Sequence, residues 1–156
     1  MRVAGIAVSM ATPKRPVLRI VVVDGSSGSA AVERVEEISA DDVNIVEQLF
    51  NFARAVESRI RGLKVDRVIV RRADVPTHAS KKDAPRLRLL TEGAATGAAR
   101  SFVVDTRLAM GKELGQWYGN PKADLDAAGT ALVAAAGEPS KYGEAAAAAL
   151  AGLGAP

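Results

Sequence analysis

The run Val17-Leu18-Arg19-Ile20-Val21-Val22-Val23 limits what this chain can fold into more than any other segment. β-Branched side chains crowd the preceding turn of a helix but suit a pleated strand, and a strand that is apolar on both faces must be covered on both. Val17 to Asp24 is therefore expected as a central strand. Arg2 to Met10 is also β-rich, through Val3, Ile6 and Val8, and Thr12 to Pro16 breaks the two runs as a turn. The opening Met1-Arg2 and the apolar residues to Ala11 have the outline of a secretion signal. A strand is the better reading, because Gly5 and Ser9 interrupt the run and the basic Lys14-Arg15 segment follows at once. Gly25-Ser26-Ser27-Gly28-Ser29 makes a second turn. Ala30 to Ser39 then alternates Val32, Val35 and Ile38 with charged residues, as an exposed strand does. Three strands joined by short turns predict an antiparallel meander.

The rest of the chain alternates helix and strand. Val46, Leu49, Phe50, Ala53, Val56 and Ile60 recur at helical spacing, with Ser39 or Asp41 as the cap and an end near Gly62. Val65 to Val70 reads as a short buried strand, which implies a right-handed crossover and parallel pairing. Arg71 to Ala84 reads as a basic loop, Pro85 to Ala99 as a helix with small residues on one side, and Ser101 to Thr106 as the last strand. Two Ala-rich helices close the sequence, at Lys122 to Ala136 and Tyr142 to Leu153. One domain over residues 1–156 is expected, α/β in class, with a mixed five-stranded sheet of three antiparallel and two parallel strands flanked by helices.

Composition excludes several chemistries. The 156 residues include no Cys and one His, His78, so thiol catalysis, Cys-based zinc and disulfides are out. A bound metal would have to be hard and held by oxygens. No apolar run reaches the roughly 20 residues of a membrane span, and the lack of Cys fits a cytoplasmic protein. The net charge of +3 decides little, but its distribution is uneven. Between Arg59 and Arg88 ten Lys and Arg face only three Asp, whereas the segment from Glu33 to Glu47 is acidic. Such a chain suits docking of nucleic acid on one face, or pairing of acidic and basic surfaces between two copies.

Val3-Ala4-Gly5-Ile6-Ala7-Val8 as first strand, Val65-Asp66-Arg67-Val68-Ile69-Val70-Arg71 as fourth, and Tyr142-Gly143-Glu144-Ala145-Ala146-Ala147-Ala148-Ala149-Leu150 as last helix resemble the ribonuclease H-like fold. Within it the chain is most similar to the Holliday-junction resolvase (RuvC-like) branch and to a small resolvase-related family of unknown function. The resemblance implies phosphodiester hydrolysis with two divalent metals, held by a carboxylate on the first strand, one at the end of the fourth and one or two on the last helix. This chain departs from that pattern. The first position falls on Ala7, or on Ala4 in a shifted register, and the second on Arg71 or Arg72, with Asp74 just beyond. Glu144 stands at a helix position, and one turn earlier lies Lys141. A guanidinium at the centre competes with metal for the same space, so two-metal chemistry is expected to be lost and no cofactor is expected. An ion pair between Glu144 and Arg71 or Arg72 is the expected substitute.

Three readings follow from the resemblance. One is a module that binds DNA or RNA or serves assembly, as a homodimer, with Arg71, Arg72, Lys81, Lys82, Arg86 and Arg88 against phosphate. Another is a divergent Mg- or Mn-dependent nuclease of branched or structured nucleic acid, built on Glu144 with Asp74, Asp105 or Asp124. The third is a protein-interaction homodimer with no nucleic-acid role. The remaining motifs point elsewhere. Gly25 to Gly28 lacks the Lys and Ser/Thr of a phosphate loop, and His78 reads as a solvated loop residue. Asp124 and Asp126 are candidates, with Asp105, for a carboxylate cluster but read better as helix-start residues, and Trp117-Tyr118 reads as an anchor for the turn that follows, ahead of a stacking platform for a base or a partner.

Overall fold

The structure, a computed structural model, describes residues 1–26, 28–41, 44–74 and 83–156. The apolar runs at the start of the chain form β1 (Arg2–Thr12), β2 (Arg15–Ser26) and β3 (Ser29–Ser39). Antiparallel pairing runs from Arg2↔Asp24 to Val8↔Leu18 between β1 and β2, and from Val17↔Ser39 to Ser26↔Ser29 between β2 and β3. The chain crosses over through α1 (Ile45–Leu63) to β4 (Arg67–Arg72), which lies parallel to β1 from Val3↔Arg67 to Ile6↔Val70. A second crossover through α2 (Asp83–Arg100) places β5 (Thr106–Met110) parallel to β4. The sheet order is β3-β2-β1-β4-β5, three antiparallel strands and two parallel ones, as expected. β2 is an interior strand buried on both faces, but the middle position belongs to β1. The chain continues through α3 (Gly111–Tyr118), α4 (Lys122–Ala135), a single 3-10 turn at Ser140–Tyr142 and α5 (Gly143–Gly154).

Side-chain alternation divides the interior into two cores. Ala4, Ile6, Val8, Val68 and Val70 point toward α1 and α2, where Phe52, Val56, Ile60, Ala95 and Ala99 meet them. Val3, Ala7, Val21, Val23, Ile69 and Ala109 point the other way, under α5 and its neighbours α3 and α4. α5 reaches the sheet closely because it is nearly all Ala and Gly, with every residue from Ala145 to Gly152 buried. A Cβ on Gly5 would stand 1.9 Å from the Ala145 carbonyl oxygen, so β1 has no room there for any side chain.

Four boundaries differ from the sequence reading, each for a local reason. α1 is capped by Asn44, whose Oδ1 accepts from Val46 N–H at 2.8 Å, and not by Ser39 or Asp41. It ends at Leu63 with Lys64 in the left-handed region (φ 51°) where a Gly is usual. β4 extends to Arg72, so Arg71 and Arg72 are strand residues, and α2 begins at Asp83, two residues ahead of Pro85. Phe102-Val103-Val104 is not a strand. Val103 alone is buried while Val104 is 79% exposed, and the edge strand is Thr106–Met110. α3 was not expected. Its end carries Trp117 and Tyr118, which pack half-buried against the α5-side core, as anchors do.

Candidate functional site

The parallel strands β1 and β4 carry their C-terminal ends to the same edge of the sheet, and α5 packs along one face with its first turn toward that edge. Ala7 and Arg71 point to its side. Extending the Ile6↔Val70 pairing by one residue brings Ala7 beside Arg71. Arg71 is the centre of what the fold gathers here. Its side chain is 5% exposed, and both terminal nitrogens donate to the carboxylate of Asp126 on α4, with Nη2 to Oδ2 at 3.2 Å. Burial alone would lower the Arg71 pKa. The Asp126 hydrogen bonds and the charges of Glu144, Asp126 and Asp74 outweigh it and hold the guanidinium above its ordinary value.

Each neighbouring carboxylate has a cation partner, and Glu92 and Glu144 share Arg88. Asp74 accepts from Lys122 Nζ at 2.6 Å and from the Gly111 N–H, and these contacts hold its pKa below the usual range. Glu92 is 1% exposed, and its two oxygens accept the Ala73 N–H at 3.1 and 3.0 Å. Burial pushes its pKa up against the pull of that N–H and of Arg88, whose Nε donates at 3.0 Å. Arg88 also spans from α2 to α5, with Nη2 3.4 Å from Glu144 Oε2. The expected ion pair of Glu144 with Arg71 or Arg72 is thus replaced by two others, Glu144 with Arg88 and Arg71 with Asp126.

The other sequence candidates are placed as follows. Arg72 and Arg86 are exposed near this edge, at the end of β4 and the start of α2. Arg71 and Arg88 are committed to carboxylates, so as they stand they hold no guanidinium out to a phosphate. Lys81, Lys82 and His78 lie outside the described residues. Asp105 binds Arg67 and Arg107 at the opposite end of β4, some four residues or roughly 13 Å along the strand, and takes no part in the cluster. Asp124 is exposed in the first turn of α4, and Lys141 pairs with Glu37 of β3. The sequence reading missed Glu92 and Lys122, and it took Asp126 for a helix-start residue. Only Arg88 and Glu92 carried a usable signal, their i, i+4 spacing.

A cleft of about 700 Å³ opens beside this edge on the α1/α2 side, between the β1–β2 turn and the first turns of α1 and α2. Lys14, Arg15 and Arg86 line it with Leu87 and Leu90. Arg15 is paired with Asp41.

No protein-family profile and no curated protein matches the chain. Among solved structures, T. thermophilus RuvC in complex with Holliday junction substrate superposes with a TM-score of 0.68 at 18% identity, over 97% of this chain and 91% of that one. A second Thermus thermophilus RuvC structure gives 0.60 at 18% identity, over 97% and 92%. The fold is ribonuclease H-like, of the RuvC type. On a RuvC-like fold the resemblance calls for carboxylates on the first strand, at the end of the fourth and on the last helix, and this chain has Ala7, Arg71 and Glu144 there. Among the described residues, no group of three or more His, Cys, Asp or Glu is placed to hold a metal ion. The donor set does not fit a metal pair, because the carboxylates present are spread around Arg71, Arg88 and Lys122.

Proposed function

We propose that this RuvC-like domain binds nucleic acid without two-metal hydrolysis, as a homodimeric binding or assembly module in the cytoplasm and with no cofactor. The observation that carries this reading is the buried Arg71 at the end of β4, paired with the partly exposed Asp126. Two divalent cations about 4 Å apart need several free carboxylates, and a desolvated guanidinium beside them adds repulsion. A nuclease site on this fold would have to expel Arg71 and leave Asp126 without its partner.

Binding is supported by a different set of residues. Arg72 and Arg86 are exposed near the C-terminal edge of the sheet, and Lys14 lines the adjoining cleft, so exposed cations flank the closed cluster. RuvC itself is known in complex with a Holliday junction substrate, which makes structured DNA the first ligand to try.

The test is fluorescence anisotropy on a labelled four-way junction, a duplex and single-stranded RNA across a salt series, with and without Mn²⁺, with the same samples run on a denaturing gel. The expected result is salt-sensitive binding with intact strands. Arg72→Ala and Arg86→Ala should each lower the slope of log K against log salt by about one if each meets one phosphate. Metal-dependent cleavage that disappears in Glu144→Gln would restore the nuclease reading. No binding at low salt would leave an assembly role.

A further inference from the structure

The outward face of α1 carries a pattern complementary to its own reverse. Phe50, Arg54, Glu57 and Arg61 recur at spacings of four, three and four, so they form one stripe on the side of the helix away from Phe52, Val56 and Ile60. Phe50 is 58% exposed and Val46, one turn before it, 70%. The side chains of Glu57 and Arg61 are 42% and 66% exposed. Within one chain the Arg54 guanidinium lies 5.8 Å from the Phe50 ring centre and Arg61 lies 3.8 Å from Glu57, with its guanidinium 4.5 Å from the Phe102 ring centre, so a copy's Phe50 would meet Arg61 beside Phe102. A shallow groove runs between them, lined by Arg54, Glu57, Ser58 and Arg61.

Read from N to C the stripe is aromatic, cation, anion, cation. A second copy laid antiparallel across a twofold axis, with Arg54 opposite Glu57, presents cation, anion, cation, aromatic. Every position then meets its complement. Phe50 faces a guanidinium, Arg54 a carboxylate, Glu57 a guanidinium and Arg61 an aromatic ring, and in the same register the flanking Glu47 faces Lys64. Parallel pairing would set Arg54 against Arg54. A two-fold contact requires this self-complementarity and a contact with an unrelated protein does not.

We propose that two copies of this chain associate through α1 in antiparallel register, with the reciprocal Arg54–Glu57 pairs at the centre of the contact and Phe50 against Arg61 on either side. The proposal rests on the homodimer reading above and names its surface. The interface lies on the outward side of α1, apart from the Arg71 cluster on the α5 side of the sheet.

The test is sedimentation velocity over a micromolar concentration series, with circular dichroism to confirm the fold of each variant. Arg54→Glu and Glu57→Arg should each weaken association by about tenfold or more, since each change acts twice across the axis. The double reversal should restore it to within about threefold, because the pairs are exchanged rather than removed. Phe50→Asp should leave a monomer. A wild-type protein that is monomeric throughout the series would overturn the surface and the homodimer reading together. A dimer unmoved by Phe50→Asp and by either single reversal would sink the α1 surface and leave the homodimer standing. Anisotropy on the Phe50→Asp protein reads nucleic-acid binding separately from both.

Discussion

Burial of the Glu92 carboxylate against the Ala73 N–H makes it respond to pH in the sense opposite to the surface acids. Its folded pKa is raised above 4.5, chiefly by desolvation, while the unfolded chain keeps the ordinary value. Above both values the group is ionised in either state and the full cost of burying the charge is present. As pH falls below the folded value toward 4.5 the folded protein takes up a proton that the unfolded chain does not, so stability rises across that window. Asp74 works the other way. Lys122 holds its folded pKa below 3.8, so its contribution is present above 3.8 and is lost as pH falls through the folded value. Urea unfolding at about pH 7 and about pH 5 should therefore show wild type gaining stability on acidification relative to Glu92→Gln. Asp74→Asn should flatten the loss seen below about pH 4. An equal shift in wild type and Glu92→Gln would mean that Glu92 is ionised throughout. At this scale the sequence was only partly legible. The resemblance put the site at Ala7 or Ala4, at Arg71 or Arg72 and at Glu144, but which cation meets which carboxylate depends on how α4 docks, and nothing in the local pattern around Asp126 records that.

The secondary elements were legible in proportion to how much of their apolar surface lies in one run. β1, β2 and α1 bury continuous or periodic apolar sets, and they stand close to where the pattern places them. β5 buries only Ala109, so the stronger apolar signal of Phe102-Val103-Val104 next to it drew the strand to the wrong segment. α3 buries Gly111, Leu114 and Gly115 and gives almost no periodicity. α5 tests the opposite limit, an element whose packing depends on having no side chains to pack. Besides Gly5 under Ala145, a Cβ on Gly129 of α4 would stand 2.5 Å from the Gly143 carbonyl oxygen and 2.6 Å from the Ala147 nitrogen. Because the atoms met are backbone, they cannot turn aside. Gly5→Ala should cost about 3 kcal/mol or more, read from the urea midpoint, whereas Gly97→Ala, with nothing within 4 Å, should be neutral or slightly stabilising. The Asn44 cap is a smaller term. Asn44→Ala should cost about 1 kcal/mol by removing the acceptor for the Val46 N–H.

Over the whole molecule, the sheet separates two cores that draw on different lengths of chain. The α1/α2 core is built from residues 4–103, whereas the α5-side core joins β1, at the start of the sequence, to α5, at its end. A chain cut before Gly143 keeps every strand but leaves Val3, Ala7, Val21 and Val23 without their cover. It should lose cooperative unfolding and bind a hydrophobic dye. A cut chain that still unfolds cooperatively would show that α3 and α4 cover the sheet unaided. The same arrangement sets an order of events during synthesis. The β1–β2–β3 meander and α1 can gather while translation proceeds, but one face of the sheet lacks its closest cover until α5 leaves the ribosome. Arg71 waits as long for a settled environment, since its partner Asp126 sits on a helix that docks against α5. Throughout that interval the nascent chain carries an open apolar sheet face, the kind of transiently exposed surface that favours aggregation.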